Sequence, residues 1–92
     1  MQKLKSILSI AGSDSSGGAG IQADIKTITT LGGYAASVIT AVTSQNTQGV
    51  QGIHDIPLSV IKSQIKSVID DIDVRVIKTG MPVSYTHLTL PT

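Results

Sequence analysis

The run Gly12-Ser13-Asp14-Ser15-Ser16-Gly17-Gly18-Ala19-Gly20 constrains this chain more than any other stretch. Glycine and small polar residues over that length favour a loop over a regular element. On its amino side, Ser6 to Ala11 reads as a short buried strand that Gly12 ends. On its carboxyl side a helix is expected from about Ile21 to Leu31, with Ile21, Ile25, Ile28 and Leu31 on one stripe and Gly32-Gly33 as the stop. A strand-to-helix turn of this kind leaves backbone N–H groups and the positive end of the helix dipole available to an anion or a polar ligand.

The rest of the chain repeats the alternation. Ala35 to Thr43 is apolar and β-branched and reads as a second buried strand, followed by the polar loop Ser44 to Gly49 and a short extended piece from Val50 to Ile56. Pro57 suits the first turn of a second helix, on which Leu58, Ile61, Ile65, Val68, Ile69 and Ile72 form the apolar stripe. Val74 to Thr79 reads as a further strand, ended by Gly80. The order β-α-β-(β)-α-β implies an α/β fold with a mainly parallel sheet, crossover helices and ligand sites at the carboxyl ends of the strands. Composition agrees. Ile, Val and Leu carry the apolar content while Phe and Trp are absent, which suits strands covered on both faces. A net charge of +1 and only two aromatic residues argue against a nucleic-acid partner. No apolar run is long enough to span a membrane. The lack of cysteine and of a secretory signal fits a cytoplasmic location.

Residues 1–81 are expected to form one domain part, and residues 82–92 a tail of another character. The tail has no charged side chain and no helical stripe, and it resembles adapter read-through more than a natural terminus, an unstructured tail being the alternative.

Several residues stand out as chemistry-bearing. Gly18-Ala19-Gly20-Ile21-Gln22-Ala23 matches G-x-G-x-x-A, but no acidic residue follows the second strand to hold a ribose, so dinucleotide binding is disfavoured. Asp24 is expected in the first turn of the helix, either as a dipole-stabilised carboxylate or as an acceptor for a substrate hydroxyl or amine. Asp14 reads as an Asx residue that stabilises its own loop. Gln45 and Asn46 could bond the edge of a nitrogen heterocycle, or simply their own turn. His54 and His87 have no spaced partners, and no metal cluster or nucleophilic triad can be assembled. Asp70, Asp71 and Asp73 read as the solvated end of the second helix.

Three stretches together, Ser9 to Thr27, Val38 to Val50 and Ile77-Lys78-Thr79-Gly80-Met81, resemble the N-terminal part of the hydroxymethylpyrimidine/phosphomethylpyrimidine kinases of the ribokinase-like superfamily. The resemblance implies a partial ribokinase-like three-layer fold whose C-terminal half is missing. It also implies a substrate, 4-amino-5-hydroxymethyl-2-methylpyrimidine or its monophosphate, phosphorylated in thiamine biosynthesis. Pyridoxal kinases share much of the pattern, and a non-catalytic pyrimidine-binding module is a further alternative. By resemblance, Gln45 would bond the aminopyrimidine ring, Gly12 and Ala19 would floor the pocket, Asp24 would bond a polar substituent, and Thr43 and Met81 would wall it. ATP and Mg²⁺ serve the intact family, as does a homodimer, but the G-T-G segment that holds the transferred phosphate has no counterpart here. The expectations are therefore a substrate half-site without phosphoryl transfer of its own, and apolar surface that favours aggregation.

Overall fold

The computed structural model describes residues 5–80. Met81 and the tail at residues 82–92, both singled out on sequence, lie outside the described residues. The elements run β1 (Ser6–Asp14), α1 (Gly20–Thr30), β2 (Tyr34–Asn46), β3 (Gly49–Asp55), α2 (Leu58–Asp71) and β4 (Val74–Thr79). They form one sheet in the order β3-β2-β1-β4. β1 pairs in parallel with both β2 and β4, whereas β3 returns antiparallel along β2 through a turn at Thr47 and Gln48.

The central place of β1 follows from its side chains. Leu8, Ser9, Ile10 and Ala11 are all 2% exposed or less. Alternation along a strand sends Leu8 and Ile10 to one face, where they pack with Ala36, Val38 and Ile61. Ile61 is the buried anchor of α2, and Ile56, Ile65, Val68 and Ile72 flank the cluster. Ser9 points to the other face, where its hydroxyl donates to Asp24 of α1 at 2.6 Å. Ile21 is the buried residue of α1. The two helices thus cover opposite faces, giving the three layers expected of an α/β sheet.

The strands are longer and the loops shorter than the glycine content suggests. β1 runs on to Asp14 and β2 to Asn46, so Gly12, Ser13, Thr43 and Gln45 are strand residues. Between Ala11 and Ser13 the register slips, since Ala11 lies beside Ile39 but Ser13 beside Val42. That extra residue in β2 inverts its phase relative to β1, because side chains alternate with a period of two. Leu31, counted in the buried stripe from periodicity, is 81% exposed, because α1 ends at Thr30 and the chain turns away through Gly32-Gly33. Pro57 is the cap of α2 rather than a residue of its first turn.

β3 pairs only with Ala41 to Asn46, which leaves the lower part of β2 without a strand on that side. There the Gln64 side chain of α2 stands in for one. Its Oε1 accepts from the Ile39 N–H and its Nε2 donates to the Ile39 carbonyl, both at 2.9 Å. α2 is therefore held by Ile61, by the partly buried Ile65 and Val68 beside it, and by a two-point amide bond. Its outer side leaves Leu58, Val60 and Ile69 largely exposed. We expect Ile61→Ala to cost about 2–4 kcal/mol in urea unfolding, against less than about 0.5 kcal/mol for Val60→Ala one position away. Similar losses for the two would mean that α2 does not dock through Ile61.

Candidate functional site

The carboxyl ends of β1 and β2 and the start of α1 meet around a cleft of about 340 Å³. Its shape depends on how the short loop Ser15 to Ala19 is held. Asp14, 4% exposed, turns its carboxylate back into that loop. Oδ1 accepts from the Ser16 N–H at 2.8 Å and the Ser16 hydroxyl at 2.7 Å, and Oδ2 accepts from the Gly18 N–H at 3.1 Å. The Gly17 N–H donates to the Asp14 carbonyl at 3.0 Å. The loop N–H groups, which the sequence offers to an outside anion, thus hold an internal carboxylate instead. The Asx reading of Asp14 describes this arrangement.

Two further contacts tie the loop into the sheet. The Ser15 hydroxyl donates to the Gln45 carbonyl at 2.6 Å and accepts from the Gln45 N–H at 2.7 Å. Gln22 of α1 accepts from the Asp14 N–H at 2.8 Å and donates from Nε2 to Ser13 Oγ at 2.7 Å. The first residue of α1, Gly20, has φ +59, and a Cβ there would run into the Gly12 carbonyl oxygen. Only glycine lets the helix start this close to β1.

Gly12, Ala19, Thr43 and Gln45, named from sequence, all line the cleft, together with Ser13, Lys78 and Gly80. Thr43 Oγ1 donates to the Ser13 carbonyl at 2.8 Å and lies 3.0 Å from the Gln45 side-chain amide. Asp24 stands behind the cleft. It sits in the second turn of α1, so no acidic residue occupies the first turn and the dipole account of it does not hold. Its carboxylate accepts from Ser9 and from Lys78 Nζ, which reaches both oxygens at 2.9 Å. Ser9 and Lys78 are register partners on β1 and β4, which is why one carboxylate meets both.

Lys78, Ser13 and Gln22 are site residues that residue-by-residue reasoning passes over. Lys78 follows the β-branched pattern of an edge strand, and its link to Asp24, 54 residues away, exists only in the folded sheet. His54 lies exposed on β3, and His87 falls outside the described residues. Asp70 pairs with Lys66 and Asp73 with Arg75 at the solvent, consistent with the surface role assigned to them.

Both buried-side carboxylates titrate low. Hydrogen bonding from the Ser16 hydroxyl holds Asp14 below the usual aspartate value; burial opposes this, and the N–H groups of Ser16, Ala19 and Gly18 add to it. For Asp24 burial is the largest influence and raises the value, but the hydrogen bonds from Ser9 and Lys78 and the Lys78 charge together outweigh it. A folded-state pKa below the unfolded one of about 3.9 stabilises fully above that pH, and the benefit is lost as pH falls through the lowered folded value.

The sheet order, the two-faced helix cover and the strand-end cleft are those of the N-terminal part of a ribokinase-like fold. A crystal structure of phosphomethylpyrimidine kinase from Clostridium difficile superposes with a TM-score of 0.81 at 56% identity, over 84% of this chain and 33% of that one. Pyridoxal kinase from Staphylococcus aureus in complex with pyridoxal gives a TM-score of 0.81 at 36% identity, over 89% and 30% of the two chains. The profile of the phosphomethylpyrimidine kinase family matches residues 14–90, and the chain belongs to that family. A hydroxymethylpyrimidine/phosphomethylpyrimidine kinase from Mycobacterium leprae is 59% identical over 78 residues, 85% of this chain and 28% of that protein. A thiamine biosynthesis bifunctional protein from Geobacter sulfurreducens is 59% identical over 76 residues, 83% and 16% of the two. The chain therefore spans well under a third of the length of these curated relatives.

Two outcomes are expected. Gly20→Ala should destabilise by at least about 1–2 kcal/mol, from the positive φ alone, in denaturant titration. Between about pH 5 and pH 2 the urea midpoint should fall, and Asp14→Asn should flatten that fall. An unchanged pH profile in the variant would show that the loop does not depend on the Asp14 charge.

Proposed function

We propose that the cleft is the pyrimidine-binding part of an ATP-dependent kinase. Its substrates are 4-amino-5-hydroxymethyl-2-methylpyrimidine and its monophosphate, in thiamine biosynthesis. The observation that carries this reading is the convergence of Gly12, Ala19, Thr43 and Gln45 on one cleft, in a chain that belongs to the phosphomethylpyrimidine kinase family. A half-open cleft with a glycine floor suits a flat heteroaromatic ring, and the Gln45 amide supplies the polar group that orients it. Lys78, held on Asp24, contributes a fixed positive charge at the rim and brings the Asp24 position into the same site.

ATP is the phosphoryl donor in this reading, with Mg²⁺ to neutralise its charge. The described residues do not fit these groups. None of them forms a cluster of three or more metal-ligating side chains. The loop N–H groups that could have cradled a phosphate are occupied by Asp14. No transfer step is assigned to them. A homodimer and a cytoplasmic setting belong to the same proposal, and no helix among the described residues is long and apolar enough to cross a membrane.

Titration calorimetry of the chain with the hydroxymethylpyrimidine tests the reading. Binding that weakens roughly tenfold in Gln45→Ala is expected, the range for loss of one or two neutral hydrogen bonds. Equal affinity in the variant would remove Gln45 from the site. Tighter binding of pyridoxal than of the pyrimidine would move the assignment to a pyridoxal kinase.

A further inference from the structure

Among the described residues that line the cleft, only Asp14 and Lys78 carry a charge. The Asp14 carboxylate is turned into its own loop, where Ser16 and Gly18 engage both of its oxygens. Lys78 therefore supplies the charge that a ligand can meet directly. An ammonium group has three protons to donate. Both oxygens of Asp24 lie 2.9 Å from Lys78 Nζ and engage two of them, which leaves the third for a ligand. The Lys78 side chain is 49% exposed and that of Asp24 only 16%, so the cation is the open member of the pair. Ser9 donates to Asp24 at 2.6 Å and fixes the carboxylate from behind. Lys78 on β4 and Gln45 on β2 reach the cleft from either side of β1. Two strand spacings of about 4.8 Å separate those strands, room for one heteroaromatic ring and one substituent.

We infer that Lys78 is the docking point for the phosphate of the monophosphate substrate, and that Asp24 offsets its charge so that the neutral hydroxymethyl form enters the same cleft. The inference rests on the pyrimidine reading above and adds the residue that meets the group by which the two substrates differ. They share one ring and differ by a phosphate of about −1.5 to −2 charges at neutral pH. An ammonium with no counter-ion would favour the anion strongly and would lose hydration without compensation when the neutral form bound. A cation already paired with a carboxylate avoids that cost. With the alcohol bound, the third Nζ proton donates to the hydroxyl oxygen. With the monophosphate bound it donates to a phosphate oxygen, a stronger bond because both partners are charged. The Asp24 charge behind Lys78 opposes the phosphate and moderates that gain. Lys78 is the specificity-determining residue in this account, and Asp24 a positioning residue that acts through it.

Calorimetry with 4-amino-5-hydroxymethyl-2-methylpyrimidine and with its monophosphate gives the ratio of the two affinities in each variant, and the ratio cancels changes in overall stability. Relative to wild type, Lys78→Gln should lower the preference for the monophosphate about tenfold, the low end for a charge-assisted bond at a half-exposed site. Asp24→Asn keeps an acceptor oxygen for Lys78 but removes the opposing charge, and should raise the preference about threefold. Lys62→Gln removes an equal charge from the exposed side of α2, across the sheet, and should leave the preference within about twofold. A preference unmoved by Lys78→Gln, moved as much by Lys62→Gln, or not raised by Asp24→Asn overturns the inference and leaves the pyrimidine reading standing. If wild type binds neither compound, the pyrimidine reading itself fails and takes this inference with it. Labelling of the wild-type chain stands beside these measurements. The monophosphate should slow acetylation of Lys78 by acetic anhydride several-fold relative to Lys62, and the alcohol by less than about twofold. Equal protection by the two compounds overturns the inference even if the variants do not fold.

Discussion

The carboxylate of Asp14 is the interaction on which the site depends. It sits at the end of the central strand, where the chain must leave the most buried strand of the sheet and start a helix within a few residues. The N–H groups of Ser16 and Gly18 in that turn have no ladder partner, and Asp14 accepts from both from inside the chain. The bond network keeps its charge in place and lowers its pKa. The loop N–H groups of Ser16 and Gly18 are thereby taken by an internal carboxylate, and the loop forms one wall of the cleft. The surfaces left to a ligand are glycine backbone, Thr43, Gln45 and Ser13, which suit a neutral heteroaromatic ring, with the Lys78 charge at the rim.

From that wall the rest of the cleft is positioned by contacts between distant parts of the chain. Ser15 grips both backbone groups of Gln45, Gln22 ties α1 to the end of β1, and Gly20 lets the helix approach the Gly12 carbonyl. On the far side, the Asp24 carboxylate joins α1, β1 and β4 through Ser9 and Lys78. The bonds from Ser9 to Asp24 and from the Asp14 N–H to Gln22 are part-buried and are worth more than a solvent-exposed pair of the same kind, whereas those of Ser15 and Lys78 lie at the surface. The exposed ion pairs of Lys66 with Asp70 and Arg75 with Asp73 contribute little by comparison.

Much of the fold was legible in the sequence. β4 and the body of α2 fall where periodicity puts them, and the glycine-rich turn does separate a strand from a helix. The misreadings have separate sources. Glycine and small polar residues at Gly12 to Asp14 and Ser44 to Asn46 look like loop, yet they remain in strands because a neighbouring strand supplies ladder partners, β2 for the first and β3 for the second. Leu31 looked buried because it continues a stripe, but a stripe says nothing about where the helix stops. Asp24 looked like a first-turn residue because the helix start was placed one residue late.

The sequence by itself determined the element order, the apolar faces and the residues that carry the family likeness, because these are properties of local pattern and of short contiguous motifs. Only the tertiary structure decided what those residues do to one another. The register slip beside Gly12 turns β2 over relative to β1 and brings Thr43 onto the Ser13 carbonyl. The pairing of β4 with β1 sets Lys78 against Ser9 and so gives Asp24 its partners. Such contacts join residues tens of positions apart, and their geometry depends on strand phase, which composition and periodicity do not encode.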